Sequence, residues 1–184
     1  MNKVLIFGLT TLVLLHFHQW KIEPAEWHFG VSLFEEREPP QLISKIQNYV
    51  QNKGIEKEIS QEIAKTIFEI EYDYEIQASL IMAIIETESG WNSLAVSNIG
   101  AKGLMQVYLR VWLKYLLTKG FLEHENDIFD EVINIQIGTH ILQLNLEEHN
   151  NNIRRALYGY YGASQTWYYN RVMQNQTRIE RMLE

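Results

Sequence analysis

From residue 41 onward almost every apolar residue falls at helical spacing, and one run has no polar face at all: Leu80-Ile-Met-Ala-Ile-Ile85, six consecutive apolar residues in a helix-favouring stretch. A helix that is apolar all round cannot lie on a surface and belongs in the centre of a core. Its neighbours supply that core. Leu42, Ile43, Ile46, Tyr49 and Val50 form one stripe, stopped by Gly54, and Ile59, Ile63, Ala64, Ile67, Phe68 and Ile70 form a second. Further helical patterns cover roughly 107–117, 130–148, 152–160 and 166–182, while Gly100 and Gly103 break the segment after the central helix into a loop. No alternating run marks a hairpin, so the expected fold class is all-α.

The chain ahead of this domain reads differently. After Lys3, residues 4–17 are apolar except for Gly8, Thr10, Thr11 and His16. That is the length of a signal-peptide hydrophobic region and short for a membrane span, which wants about 20 apolar residues. Glu23 would stand at the −3 position of a cut after Ala25, so residues 1–20 read as either a signal peptide or an uncleaved signal-anchor. Both export the chain, to the periplasm or to the periplasmic face of the inner membrane. Residues 21–40 hold all three prolines and five acids against two bases, the composition of a stalk, which leaves 41–184 as the folded domain.

Charge and residue usage exclude several functions. A net charge of −7 provides no basic field for a phosphate backbone, so nucleic acid is not an expected partner. Without cysteine there is no disulfide, thiolate metal site or cysteine nucleophile. The six histidines form no His-Glu-x-x-His pair and no glycine-rich phosphate loop is present, so neither a metal nor a cofactor is expected.

The chemistry concentrates where the central helix ends, at Glu88-Ser89-Gly90. A carboxyl in the last turn of a buried helix meets the negative end of the helix dipole and apolar neighbours, and both penalise its charge. A raised pKa is what a general acid needs to protonate a glycosidic oxygen. Glu86, two residues earlier, is rotated by about 200° on a helix of 3.6 residues per turn and points elsewhere. Taken alone, Glu-Ser is more often a solvated helix end, and the following glycines a mere connector.

The wider sequence changes those odds, because four ordered blocks resemble the soluble lytic transglycosylase family. They are Glu88-Ser89; Ala95-x-Ser97-x-x-Gly100-Ala101-x-Gly103-Leu104-Met105-Gln106; Asn134-Ile135-x-x-Gly138-x-x-x-Leu142; and Ala156-Leu157-x-x-Tyr160-Tyr161-Gly162, with Tyr168 and Val172 closing the set. The resemblance spans about residues 76–173 and implies a lysozyme-like helical domain that cleaves peptidoglycan glycan strands. It implies Glu88 as acid/base, and Ser97, Met105, Gln106, Tyr108 and Tyr160 as residues that contact the sugars or steady the acid. Two departures stand out: Tyr108 and Leu109 follow where the family usually carries Met-Pro, and Tyr161 replaces its usual Asn.

Ordinary glycosidases use two carboxylates. Here no Asp or Glu occurs in the 34 residues from Ser89 to Leu122, and the spacing of Glu71, Asp73, Glu75, Asp127 and Asp130 recommends none of them. The family's lone-acid reaction, which ends in a 1,6-anhydromuramic acid, fits this distribution. Six aromatics lie among residues 158–169, and of these Tyr160 is the expected cleft residue. Two other readings stay open: a hydrolysing muramidase on the same fold, and an inactive peptidoglycan-binding component of an envelope-spanning secretion, pilus or phage machine.

Overall fold

The structure, a computed structural model, describes residues 40–184; the expectations placed on residues 1–39 lie outside the described residues. Helices α1 (Pro40–Gln51), α2 (Lys57–Tyr74) and α3 (Ala78–Glu88) come first. A two-stranded hairpin, β1 (Ala101–Lys102) and β2 (Val107–Tyr108), leads into α4 (Leu109–Thr118). A 3₁₀ turn (Glu125–Phe129) precedes α5 (Glu131–Glu148), α6 (Ile153–Tyr161) and α7 (Thr166–Leu183). The domain is all-α, and none of the described helices is long and apolar enough to cross a membrane.

The apolar helix takes the central place its sequence demands. Every residue of α3 from Ala78 to Ile85 is buried, and α3 packs most extensively on α7, while α1 lies on α2 and α5 joins α2 to α6. Truncating one of its fully buried isoleucines to alanine would remove about 2–5 kcal/mol. Polar bonds fix the register with α7: buried Gln176 donates from Nε2 to Gln77 Oε1 (2.8 Å), and Ser79 donates to Glu180 Oε1 (3.3 Å). Lys45 Nζ on α1 donates to the Leu183 carbonyl at the far end of α7 (2.6 Å).

A second apolar cluster gathers Val107, Leu109, Leu116, Leu122, Ile128, Ile137 and Ile141 beneath α4. Tyr160 packs against both clusters. The turns follow the residues that permit them. Asp130 Oδ1 accepts from Ile133 N (2.9 Å) and Asn152 Oδ1 from Arg155 N (3.1 Å), starting α5 and α6 as N-caps.

The hairpin departs from the expectation of no strand. Ala101 pairs with Tyr108 and Lys102 with Val107, so Val107 lies in a strand and the helix expected from it begins two residues later. Strands two residues long show no alternation, and their pairing is imposed by the loop between them.

Candidate active site

The end of α3 sends two carboxylates in different directions. Ser89 N bonds Ile85 O (3.1 Å), and the Ser89 hydroxyl accepts from Trp91 N (3.2 Å). Gly90 and Trp91 then take left-handed backbone angles (φ 58° and 73°), which turn the chain sharply after Glu88. Trp91 is driven inward by this turn and its indole Nε1 donates to Glu86 Oε2 (2.7 Å).

Glu86 is the charged member of the pair. Lys53 Nζ lies 2.8 Å from it, Tyr49 donates at 3.0 Å and Arg178 at 3.1 Å. Burial alone would raise its pKa, but the bonds from Lys53 and Trp91, then Tyr49, outweigh it and hold the carboxyl below its ordinary value. This carboxylate ties α1, α3 and α7 together.

Glu88 is the opposite case. Its Oε1 accepts from the Tyr168 hydroxyl on α7 (2.5 Å), and burial pushes its pKa from 4.5 up to about 7, against the lowering effect of that bond. Among the described residues no cation offsets the burial as Lys53 does for Glu86, and the C-terminal end of α3 adds partial negative charge. Burial and the nearby Glu88 push the hydroxyls of Tyr160 and Tyr168 well above the ordinary tyrosine value, so both remain donors. Near neutral pH the site therefore holds one carboxyl able to carry or release a proton. The two tyrosines beside it cannot take that proton up.

The loop after α3 is fixed by its own groups. Ser97 N bonds Ala101 O (2.9 Å), Ala101 N bonds Ser97 Oγ (3.0 Å) and Gly103 N bonds Ala95 O (2.9 Å). Gln106, itself at φ 50°, donates from Nε2 to Ala95 O (3.1 Å) and Gly103 O (2.9 Å). The buried Asn134 carboxamide clasps this loop to α5: its Oδ1 accepts from Met105 N (2.7 Å), and its Nδ2 donates to Lys102 O (3.1 Å) and Ile128 O (2.8 Å). Two glycines are required by this closeness. A β-carbon at Gly103, already at φ 78°, would overlap the Asn134 amide, and one on Gly138 would stand 2.5 Å from Met105 Sδ.

The structure thus brings Glu88, Tyr160 and Tyr168 together, with Tyr160 donating to Met105 O (2.8 Å). Ser97, Gln106 and Tyr108 keep partial exposure along the loop, though the hydrogen bonds of Ser97 and Gln106 described above go to the loop backbone. Met105, expected to contact substrate, is fully buried between Tyr160 and α5, because its side chain fills the space opposite Gly138. Its main chain is what it offers the site. The partnership of Tyr168 with Glu88 and the clasping role of Asn134 escaped sequence reasoning. Both residues stood in the quoted motifs, but their partners lie 80 and 29 positions away.

Three of the other acids, Glu71, Asp127 and Asp130, hold backbone groups. Glu71 accepts from Ala78 N (3.2 Å) at the start of α3, about 15 Å along the helix from Glu88 at 1.5 Å per residue. Glycosidase carboxylate pairs stand about 5–9.5 Å apart. Asp127 Oδ2 accepts from His124 N (2.6 Å) and Glu123 N (3.0 Å), and Asp130 caps α5.

The chain is similar to known proteins. A family profile described as "Transglycosylase SLT domain" matches residues 65–181. The curated "Membrane-bound lytic murein transglycosylase C" of Salmonella arizonae is 39% identical over 74 residues, which cover 39% of this chain and 21% of the relative, so the match spans about a fifth of that protein's length.

Proposed function

The chain belongs to the transglycosylase SLT domain family, and from that membership we propose that it is a peptidoglycan lytic transglycosylase in which Glu88 is the single general acid/base. The observation that carries this reading is the protonatable Glu88 carboxyl, its pKa pushed up to about 7 by burial and its Oε1 occupied by Tyr168. With Oε1 engaged as an acceptor, the exchangeable proton resides on Oε2. From there it passes to the oxygen of the β-1,4 bond between N-acetylmuramic acid and N-acetylglucosamine as the bond to the muramic C1 breaks.

The positive charge left on C1 is held by the ring oxygen and the substrate's N-acetyl group. Glu88, now a carboxylate, accepts the proton of the muramic 6-hydroxyl, and that oxygen closes on C1. No water enters. Tethering gives the 6-hydroxyl an effective concentration far above that of an unpositioned water. The remoteness of Glu71 from Glu88, and the backbone bonds held by Asp127 and Asp130, support a lone acid over the two-carboxylate scheme of a hydrolysing muramidase. In this reading Ser97, Gln106 and Tyr108 line the substrate path, and Tyr160 and the Met105 carbonyl form its wall.

The hydrophobic stretch at residues 4–17, and the membrane-bound description of the relative, support a periplasmic location for the domain. The test of the reaction is digestion of purified peptidoglycan followed by borohydride treatment and mass analysis. Ends one water lighter than reducing ends and inert to borohydride are expected. Predominantly reducible ends would replace this reading with the muramidase, and no soluble product from several peptidoglycan types would favour a binding role.

A further inference from the structure

The aromatic stretch between α6 and α7 divides into rings with a partner and rings without cover. Tyr160 donates to Met105 O, Tyr168 to Glu88, Tyr158 bonds Thr166 (3.2 Å), and Tyr169 lies under the Arg154 guanidinium (4.2 Å). Tyr161 and Trp167 remain 41% and 55% exposed, which leaves large adjoining aromatic surfaces open to solvent. They meet edge to face, centroids 5.4 Å apart at 84°, and both rest on the buried ring of Tyr168, Tyr161 stacked at 4.6 Å and Trp167 edge-on at 5.9 Å. Two nearly perpendicular aromatic surfaces therefore form an open corner, and one ring separates it from the acid.

We propose that Tyr161 and Trp167 form a sugar-stacking subsite that holds a pyranose ring of the glycan strand beside the position where Glu88 acts. This deepens the transglycosylase reading and rests on it for the identity of the strand. A pyranose presents axial C–H groups on its faces and hydroxyls around its rim, so an aromatic corner takes the face and leaves the rim in water. The corner is set before any ligand arrives. Tyr161 ends α6, Trp167 lies in the first turn of α7, the Tyr158–Thr166 bond closes the turn between them, and Tyr168 supports both rings from below. Little side-chain freedom is lost on binding. Tyr161 also stands where the resembled family carries Asn, so this platform is a property of this chain.

The test uses the full chain carrying Glu88→Gln, which binds without turnover, titrated with the β-1,4-linked hexamer of N-acetylglucosamine. Adding Trp167→Ala or Tyr161→Ala is expected to weaken hexamer binding about tenfold, with Trp167→Phe recovering most of it. In the Glu88-containing chain the same alanine variants raise KM on peptidoglycan more than they lower kcat. The pH profile of kcat/KM keeps its shape, which separates loss of stacking from disturbance of the Tyr168–Glu88 pair. Hexamer affinity within twofold of the parent in both alanine variants overturns the subsite, as does a parent that does not bind the hexamer. If peptidoglycan is still cut to anhydro ends in that case, the reaction stands and only the corner falls. If no peptidoglycan is cut but hexamer binding depends on Trp167, the corner stands without the reaction.

Discussion

Glu88→Gln is expected to abolish cleavage and to stabilise the protein at alkaline pH. A carboxyl whose pKa rises from 4.5 unfolded to about 7 folded holds its proton more tightly in the native state. The sign follows from linkage: below pH 4.5 both states bind the proton and nothing is lost, between 4.5 and about 7 stability declines, and above that the ionised group costs a constant amount. At 1.36 kcal/mol per tenfold in proton affinity, that amount is about 3 kcal/mol. Glutamine keeps the shape and the acceptor for Tyr168 but has no charge to bury. Urea denaturation of both proteins from pH 4 to 9 should therefore give a stability gap that widens by about 3 kcal/mol in favour of the variant, or roughly 10 °C in Tm. Glu86→Gln is the control. Its carboxyl is held below its ordinary value, so its contribution is present above the unfolded pKa and disappears as pH falls through the folded one. That variant should lose stability at neutral pH and still cut peptidoglycan. A gap between wild type and Glu88→Gln that stays flat across the range would refute the argument that burial of Glu88 sets its proton affinity.

Removing the Tyr168 hydroxyl with Tyr168→Phe deletes the bond that lowers the Glu88 pKa, so the alkaline limb of the kcat/KM profile should move to higher pH while the maximum falls; a move to lower pH would contradict this. Asn134→Leu leaves Met105 N–H and the carbonyls of Lys102 and Ile128 without their bonds and should cost roughly 3 kcal/mol or more in denaturant unfolding, whereas a loss below about 1 kcal/mol would show that the clasp is dispensable. An export-dependent reporter fused after Pro40 should be active, and a stable but inactive fusion would remove the periplasmic placement.

The parts of this domain that were legible in the sequence are those written in local spacing. The stripe through Ile63, Ile67 and Ile70, the apolar run at 80–85 and the helices starting near 130 and 152 each announce themselves within a few residues. The divergence of Glu86 and Glu88 was also legible, because it is a matter of rotation about one helix. What periodicity could not supply was the identity of partners. Tyr49 and Arg178 reach Glu86 from two other helices and Lys53 from the turn after α1, and nothing near them in sequence marks them as its counter-groups. Tyr160 and Tyr168 belong to one aromatic stretch, yet only packing decides that the first bonds a carbonyl and the second the acid. The burial of the Met105 side chain was hidden for the same reason, since the space it fills is opened by Gly138, 33 residues further along the chain.

The span between Glu88 and Tyr168, 80 residues, also sets when the site becomes competent. Until α7 has docked, residue 88 lacks the Tyr168 hydroxyl and the helix that packs most extensively on α3. In an unfolded chain the fully solvated Glu88 is ionised at neutral pH, however much of the sequence is already present. Proton retention at this one side chain is therefore a readout of the packed domain, and on the proposed reading it makes acid chemistry at residue 88 conditional on the docking of α7.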